Sequence, residues 1–127
     1  MEKRPTKRPD DRKALGNAGE EDAAELLRCS GHRILERNFR TRNGELDIVS
    51  RAPDGTLVFT EVKTDRHGNA GVPEEWITPR KRRQVAKMAA IWMARHGVGE
   101  VPVRFDAVCV RIRPGRTHVL HWPAAWM

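Results

Sequence analysis

Gly44-Glu45-Leu46-Asp47-Ile48-Val49, the turn Ala52-Pro53-Asp54-Gly55-Thr56, and Leu57-Val58-Phe59-Thr60-Glu61-Val62-Lys63 form the stretch that decides the fold. Both runs have the alternating or apolar character of strands. The turn chemistry sets which side chains share a face. A two-residue Asp54-Gly55 turn puts Asp47 opposite Val62, away from Glu61. A three-residue loop suits the residues better, because Pro53 brings a preset φ and Gly55 takes the left-handed bulge position. That loop pairs Ala52 with Thr56 and, counting back, Asp47 with Glu61. Directly opposed residues have Cβ atoms about 5 Å apart on one face. Lys63, two residues on, joins that face. The other face reads Leu46, Ile48, Val58, Thr60 and Val62, which suits packing.

Two carboxylates held across a sheet repel one another unless positive charge lies between them. Lys63 is one source of that charge. A divalent cation is a better fit, since Mg²⁺ and Mn²⁺ favour oxygen ligands and are held by one or two carboxylates plus phosphate oxygens. A solvated hairpin with a cross-strand ion pair is the competing reading, and the hairpin alone does not choose between them.

The 127 residues suffice for one domain with a single core. No apolar run approaches the roughly 20 residues of a membrane span. The basic N-terminus lacks the apolar segment of a secretory signal, so the expectation is a cytoplasmic protein with no membrane partner. Cys29 and Cys109 are read as free thiols, and no His/Cys cluster suggests zinc. Lys+Arg number 24 against 17 Asp+Glu, a net charge of +7 with pI ≈ 10.2. Such a surface attracts polyanions, nucleic acid foremost.

Along the chain, residues 1–13 read as a disordered basic arm and 14–127 as the single domain. A helix is expected over 14–28, with Gly31 near its stop. Glu20 falls on its apolar stripe with Ala23, Ala24 and Leu27, while Glu21, Asp22 and Glu25 point elsewhere. Gly16 and Gly19 make sense where the backbone passes close to the sheet or to a phosphate. A strand over 32–40 completes three consecutive antiparallel strands. The loop 65–75 begins beside Lys63, which makes Arg66 and His67 candidate substrate contacts. Thr78 as N-cap and Pro79 open a second helix that ends near Gly97. Its first turns carry Arg80, Lys81, Arg82, Arg83 and Lys87, cations that oppose the helix dipole. Phosphate binding explains them, with a solvated basic face as the alternative. A strand over 101–112 carries Asp106 among apolar residues, read first as an anchor for a basic side chain and second as a neighbour of the site. A short edge strand over 117–122 follows. Trp76, Trp122 and Trp126 read as core cover, with Trp122 and Trp126 also a candidate homodimer face.

With these residues in hand, the chain resembles the bacterial YraN-like family, related to Holliday-junction resolvases within the PD-(D/E)XK nuclease superfamily. The carrying motifs are Gly16-x-x-Gly19-Glu20, Ile34-Leu35-x-Arg37-Asn38, Gly44 to Val49, and Leu57 to Lys63. Thr78-Pro79-x-Lys81 and Arg104-Phe105-Asp106 extend the match downstream. The resemblance implies an α/β, restriction-endonuclease-like core: a mixed central sheet with an antiparallel three-strand meander, flanked by helices. It implies Asp47, Glu61 and the Val62 backbone carbonyl as ligands of Mg²⁺ or Mn²⁺, Lys63 as catalytic lysine, and Glu20 as a helix-borne acid that completes the metal shell or anchors a bound water. Leu46-Asp47 stands where the superfamily has Pro-Asp, and Asp65 introduces an acid that would weaken phosphate binding or alter metal loading.

The expected function is a metal-dependent endonuclease on DNA, ahead of RNA, with branched or structured DNA as a candidate substrate. A nucleic-acid-binding module that keeps the fold without turnover is the alternative. An interaction protein for an acidic partner is the third reading.

Overall fold

The turn between the two quoted strands forms as its residues dictate. The computed structural model describes the backbone of residues 9–126 and the side chains of residues 19–126. In it the Ala52 N–H donates to the Thr56 carbonyl at 2.9 Å, and Gly55 sits at φ +93°. The Asp54 carboxylate accepts from the Thr56 N–H at 3.0 Å. The hairpin strands are β2 (Gly44–Arg51) and β3 (Leu57–Asp65), preceded by α1 (Pro9–Cys29) and β1 (Arg33–Thr41). After them come α2 (Pro73–Trp76), α3 (Pro79–Arg95), β4 (Val103–Arg113) and β5 (Arg116–Trp126).

The five strands are ordered β1-β2-β3-β4-β5. The first three form an antiparallel meander, β3 and β4 run parallel through the crossover that contains α3, and β5 returns antiparallel at the edge. This is the expected α/β arrangement, a mixed central sheet with an antiparallel three-strand meander and flanking helices. One face buries Val49, Leu57, Phe59 and Ala107 against Val85, Met88, Ala89 and Trp92 of α3. The other buries Ile48, Val108 and Val110 against Ala23, Ala24 and Leu27 of α1. Gly19 lets α1 approach the sheet, since a Cβ there would collide with the Thr64 hydroxyl of β3. Thr78 caps α3 by accepting from the Lys81 N–H at 3.1 Å.

Several expectations are corrected. Residues 9–13, placed in the basic arm, belong to α1, with Pro9 as its first residue, a position where proline is well tolerated. The rest of the arm, residues 1–8, lies outside the described residues. Residues 73–75, read as loop, belong to a helical turn, Pro73–Trp76, with Pro73 at its start. β5 runs on to Trp126, which is buried and stacked on Phe105 at 5.4 Å, so Trp126 covers this chain's own core as expected. Leu46, assigned to the face of Ile48, packs on the opposite side with Phe39 and Met88. The cause is a turnover in the sheet. Arg37 and Ile48 are paired and look toward α1, where Arg37 bonds Glu21, whereas the next pair in register, Phe39 and Leu46, looks toward α3. Between them Asn38 takes φ +56°, a conformation asparagine tolerates better than most residues.

Candidate active site

Asp47 stands at this turnover. The β2–β3 register, Ile48 with Thr60 and Val49 with Phe59, continues to Asp47 opposite Glu61, but the ladder ends one pair short. Asp47 instead reaches across with its side chain, and its Oδ2 accepts the Val62 N–H at 2.8 Å. In a strand the N–H and C=O of one residue point to the same side. The Val62 carbonyl therefore faces the same gap between the strands. Where a sheet turns over, a carboxylate has replaced the next backbone rung.

The turnover also places Asp47 between the two faces. Glu20, on α1, has its carboxyl pushed up to about 7, first by burial and then by the Asp47 charge, while Arg37 and Asn38 pull the other way. Its Oε1 is buried without a hydrogen-bond partner. Glu61, on the α3 side, is buried and pushed well above the usual carboxylate range by burial and then by Asp47. Asp47 is itself raised, by burial first, against the opposing pull of the Val62 amide. Three acids from α1, β2 and β3 thus penalise one another's charge through Asp47. Glu45, which the sequence did not single out, adds to the repulsion on all three.

The nearest counter-charge comes from α3. Lys81 Nζ lies 3.4 Å from Glu61 Oε2, so a residue expected among solvent-facing phosphate contacts is instead half-buried in the acid site. Thr78-Pro79-x-Lys81 explains how: the capped helix start points the third residue of the first turn back at β3. Lys63 is exposed and two positions beyond Glu61, on the same face by alternation. Val62 of β3 packs on the α1 side.

The remaining candidates separate by exposure. Arg80, Arg83 and Lys87 are exposed, as are Arg66 and His67. Arg82 is half-buried and donates its Nε to the Ile77 carbonyl at 3.3 Å, which is a structural use. With Thr78 and Gln84, Arg80 and Lys81 line a cleft of about 370 Å³ at the α3 N-terminus. Asp65 is not an intruder on the site. It is buried, accepts from the N–H groups of His67 and Gly68 at 3.1 and 2.9 Å, and lies 3.5 Å from Arg113. Those bonds hold its carboxyl down at about 2 despite the opposing pull of burial. Asp106 is the expected anchor: Arg104 grips it with two bonds at 2.9 and 3.0 Å, and His121 and the Ala124 N–H complete its shell.

No three Asp, Glu, His or Cys side chains among the described residues converge as a ready-made metal cage. What Asp47, Glu61 and the Val62 carbonyl offer is an oxygen-only half-shell, and the unpartnered Glu20 Oε1 is a further oxygen beside Asp47. That donor set fits a hard divalent cation whose shell is completed by water and phosphate.

The model of the uncharacterised protein family UPF0102 matches residues 19–110, and the chain belongs to that family. It is 46% identical over 114 residues to a UPF0102 protein of Pelobacter propionicus, covering 89% of this chain and 81% of that one. A relative in Anaeromyxobacter dehalogenans is 48% identical over 118 residues (92% and 87% covered). One in Geobacter sulfurreducens is 50% identical over 101 residues (79% and 77% covered). Among solved structures, an EndoMS complex with double-stranded DNA aligns with TM-score 0.45 at 17% identity, covering 83% of this chain and 38% of that one. A repair endonuclease from Pyrococcus abyssi aligns with TM-score 0.44 at 16% identity, covering 91% and 42%. The chain thus spans about two fifths of each of these structures.

Proposed function

We propose that this chain is a divalent-metal-dependent endonuclease that hydrolyses phosphodiester bonds in DNA, with branched or otherwise structured DNA as the substrate. The observation that carries the reading is the line of acids Glu20, Asp47 and Glu61, contributed by three elements and mutually repelling through Asp47. Each unit of raised carboxyl pKa is about 1.4 kcal/mol against the charged form. A chain shaped only for stability does not gather such groups, whereas reaction sites do.

In this reading Asp47, Glu61 and the Val62 carbonyl hold Mg²⁺ or Mn²⁺. When bound, the ion supplies positive charge to the scissile phosphate and a more acidic water. The chain's own residues do the rest. The Val62 N–H fixes the Asp47 carboxylate in place. Lys63 presents an ammonium group to the charge that develops on the phosphate oxygens. Glu20, whose carboxyl titrates near neutrality, takes the proton of the attacking water. Lys81 balances Glu61 when no cation is bound. Arg66, Arg80, Arg83 and Lys87 are exposed for backbone phosphates. A homodimer is the assembly that paired cuts across a junction would use.

The test is cleavage of labelled duplex, single-stranded and four-way-junction DNA with Mg²⁺ or Mn²⁺ against chelator, with Lys63→Ala purified alongside. Metal-dependent products that vanish in the variant are expected. Salt-sensitive binding by both proteins without products would replace this reading with a non-catalytic nucleic-acid-binding module. The Lys81–Glu61 ion pair favours that second reading, because it occupies an oxygen a cation would need.

A further inference from the structure

The β4–β5 hairpin carries basic side chains in a pattern that the candidate site does not use. Arg111 pairs with His118 and Arg113 with Arg116 across the antiparallel ladder, so all four share one face on either side of the Pro114-Gly115 turn. With Pro114 and Leu120 they line a cleft of about 770 Å³. Arg116 and His118 are exposed, while Arg111 and Arg113 are half-buried.

The inner pair is built. Arg113 donates to the Asp65 carbonyl at 3.2 Å and Arg111 to the Gly71 carbonyl at 3.3 Å, which ties the pair to the end of β3 and to the loop that follows it. Asp65 is the acid facing them, at 3.9 Å from Arg111 and 3.5 Å from Arg113. Three guanidinium groups against one carboxylate leave a net charge of +2 before His118 is counted. Arg111 Nε is buried without a hydrogen-bond partner. Charge and geometry are therefore in surplus, and what they suit is an anion with several oxygens.

The position gives the anion its source. In the parallel pairing Lys63 lies beside Cys109 and Asp65 beside Arg111. Cys109, Arg111 and Arg113 alternate onto one face, so the cleft continues the face that carries Glu61 and Lys63. At about 3.3 Å per residue, Arg111 and Arg113 sit roughly 7 and 13 Å beyond the level of Lys63. That span is the rise of about two to four nucleotides of one strand.

We infer that the Arg111–Arg113–Arg116–His118 cleft is a second nucleic-acid contact, which grips backbone phosphates two to four nucleotides from the bond held at Asp47, Glu61 and Lys63. The inference rests on the nuclease reading for its polarity but makes a separate claim about where the backbone runs. It assigns the hairpin a sequence-independent grip, because guanidinium groups on phosphate carry no base information.

The experiment compares the full chain with its Arg116→Gln/His118→Gln variant, both exposed positions whose loss leaves Arg111, Arg113 and Asp65 in place. Affinity for a 20-base-pair duplex and for a four-way junction is read by fluorescence anisotropy over a salt series at pH 7.5, with Lys63→Ala as the reference. The double variant is expected to bind several-fold more weakly, with the slope of log affinity against log salt shallower by about 1. Lys63→Ala, which removes the cation at the bond itself, is expected to lower the slope by a similar amount, so the comparison ranks the cleft against a phosphate contact of the site. Wild-type affinity and slope in the double variant would overturn the cleft while leaving the nuclease reading standing. No binding of either DNA by the wild type would overturn both. A cleft whose loss abolishes binding of inorganic phosphate, with duplex affinity unchanged, would overturn the backbone assignment in favour of a free anion.

Discussion

The carboxylate of Asp47 and the backbone N–H of Val62 are joined at 2.8 Å, at the point where the β2–β3 ladder stops. One side chain thus serves as a structural rung and as a candidate ligand, and the two duties separate by substitution. Asp47→Asn retains an oxygen for the Val62 N–H and removes the buried charge, so above pH 6 its urea-unfolding free energy is expected to equal or exceed that of wild type. Asp47→Ala orphans that N–H and is expected to cost about 1–3 kcal/mol. Both are expected to abolish cleavage. Equal stability of the two variants would show that the rung contributes nothing.

Glu20 gives the opposite sign. Its folded carboxyl, at about 7, lies above the ordinary value, so the folded state binds its proton more tightly than the unfolded chain does. Stability tied to this group is highest at low pH and is lost as pH rises from about 4 to 7. Glu20→Gln is therefore expected to stabilise the protein at pH 8, on the order of 1 kcal/mol once solvent screening is allowed for, and to change little at pH 4. Thermal melts at the two pH values check it. A variant less stable than wild type at pH 8 would contradict the placement of Glu20 against Asp47.

Asp106 titrates in the other direction. Its carboxyl is held below the usual range: burial pushes it up, but His121, Arg104 and the Ala124 N–H outweigh it. A depressed folded value means that the stability is fully present above the unfolded value, near 4. It is lost as pH falls below that, through the lower folded value. Asp106→Asn is expected to unfold more readily at pH 7 and to flatten the loss of stability below pH 4. Urea midpoints across that range would show it, and an unchanged acid slope would refute it.

Lys81 sets up a competition. Because its ammonium group is the ion partner of Glu61, Lys81→Met should free an oxygen for a cation. Isothermal titration with Mn²⁺ is expected to show tighter binding by the variant than by wild type. Weaker binding would instead make Lys81 an organiser of the site.

The hairpin was legible because its turn residues leave few choices. Pro53, Asp54 and Gly55 together admit one loop, and the loop fixes the register that brings Asp47 and Glu61 together. The turnover was not legible, because an asparagine at positive φ looks like any strand asparagine until two pairs of neighbours, Arg37 with Ile48 and Phe39 with Leu46, face opposite ways. Strict alternation therefore misplaced Leu46. Asp65 read as a misplaced acid because its partners, Arg111 and Arg113, lie some 46 positions away. The basic hairpin left a usable signal: positions 111, 113, 116 and 118 are all basic at period two around a Pro-Gly turn.

The parallel pairing of β3 with β4 also bears on how the chain reaches its fold. Leu57 and Val103 are neighbours although 46 positions apart, whereas β2 and β3 are joined by a five-residue turn. Local pairings form early and distant ones late, since the longer loop must first be closed. The hairpin that sets Asp47 against Glu61 is thus the early element, and it forms with its two acids opposed. The lysine that balances them is on α3, inside the segment that must fold back before β4 can dock. The charge balance of the site is completed in the same late step as the central sheet, so acidic conditions, which neutralise the hairpin, should speed the early step relative to the late one.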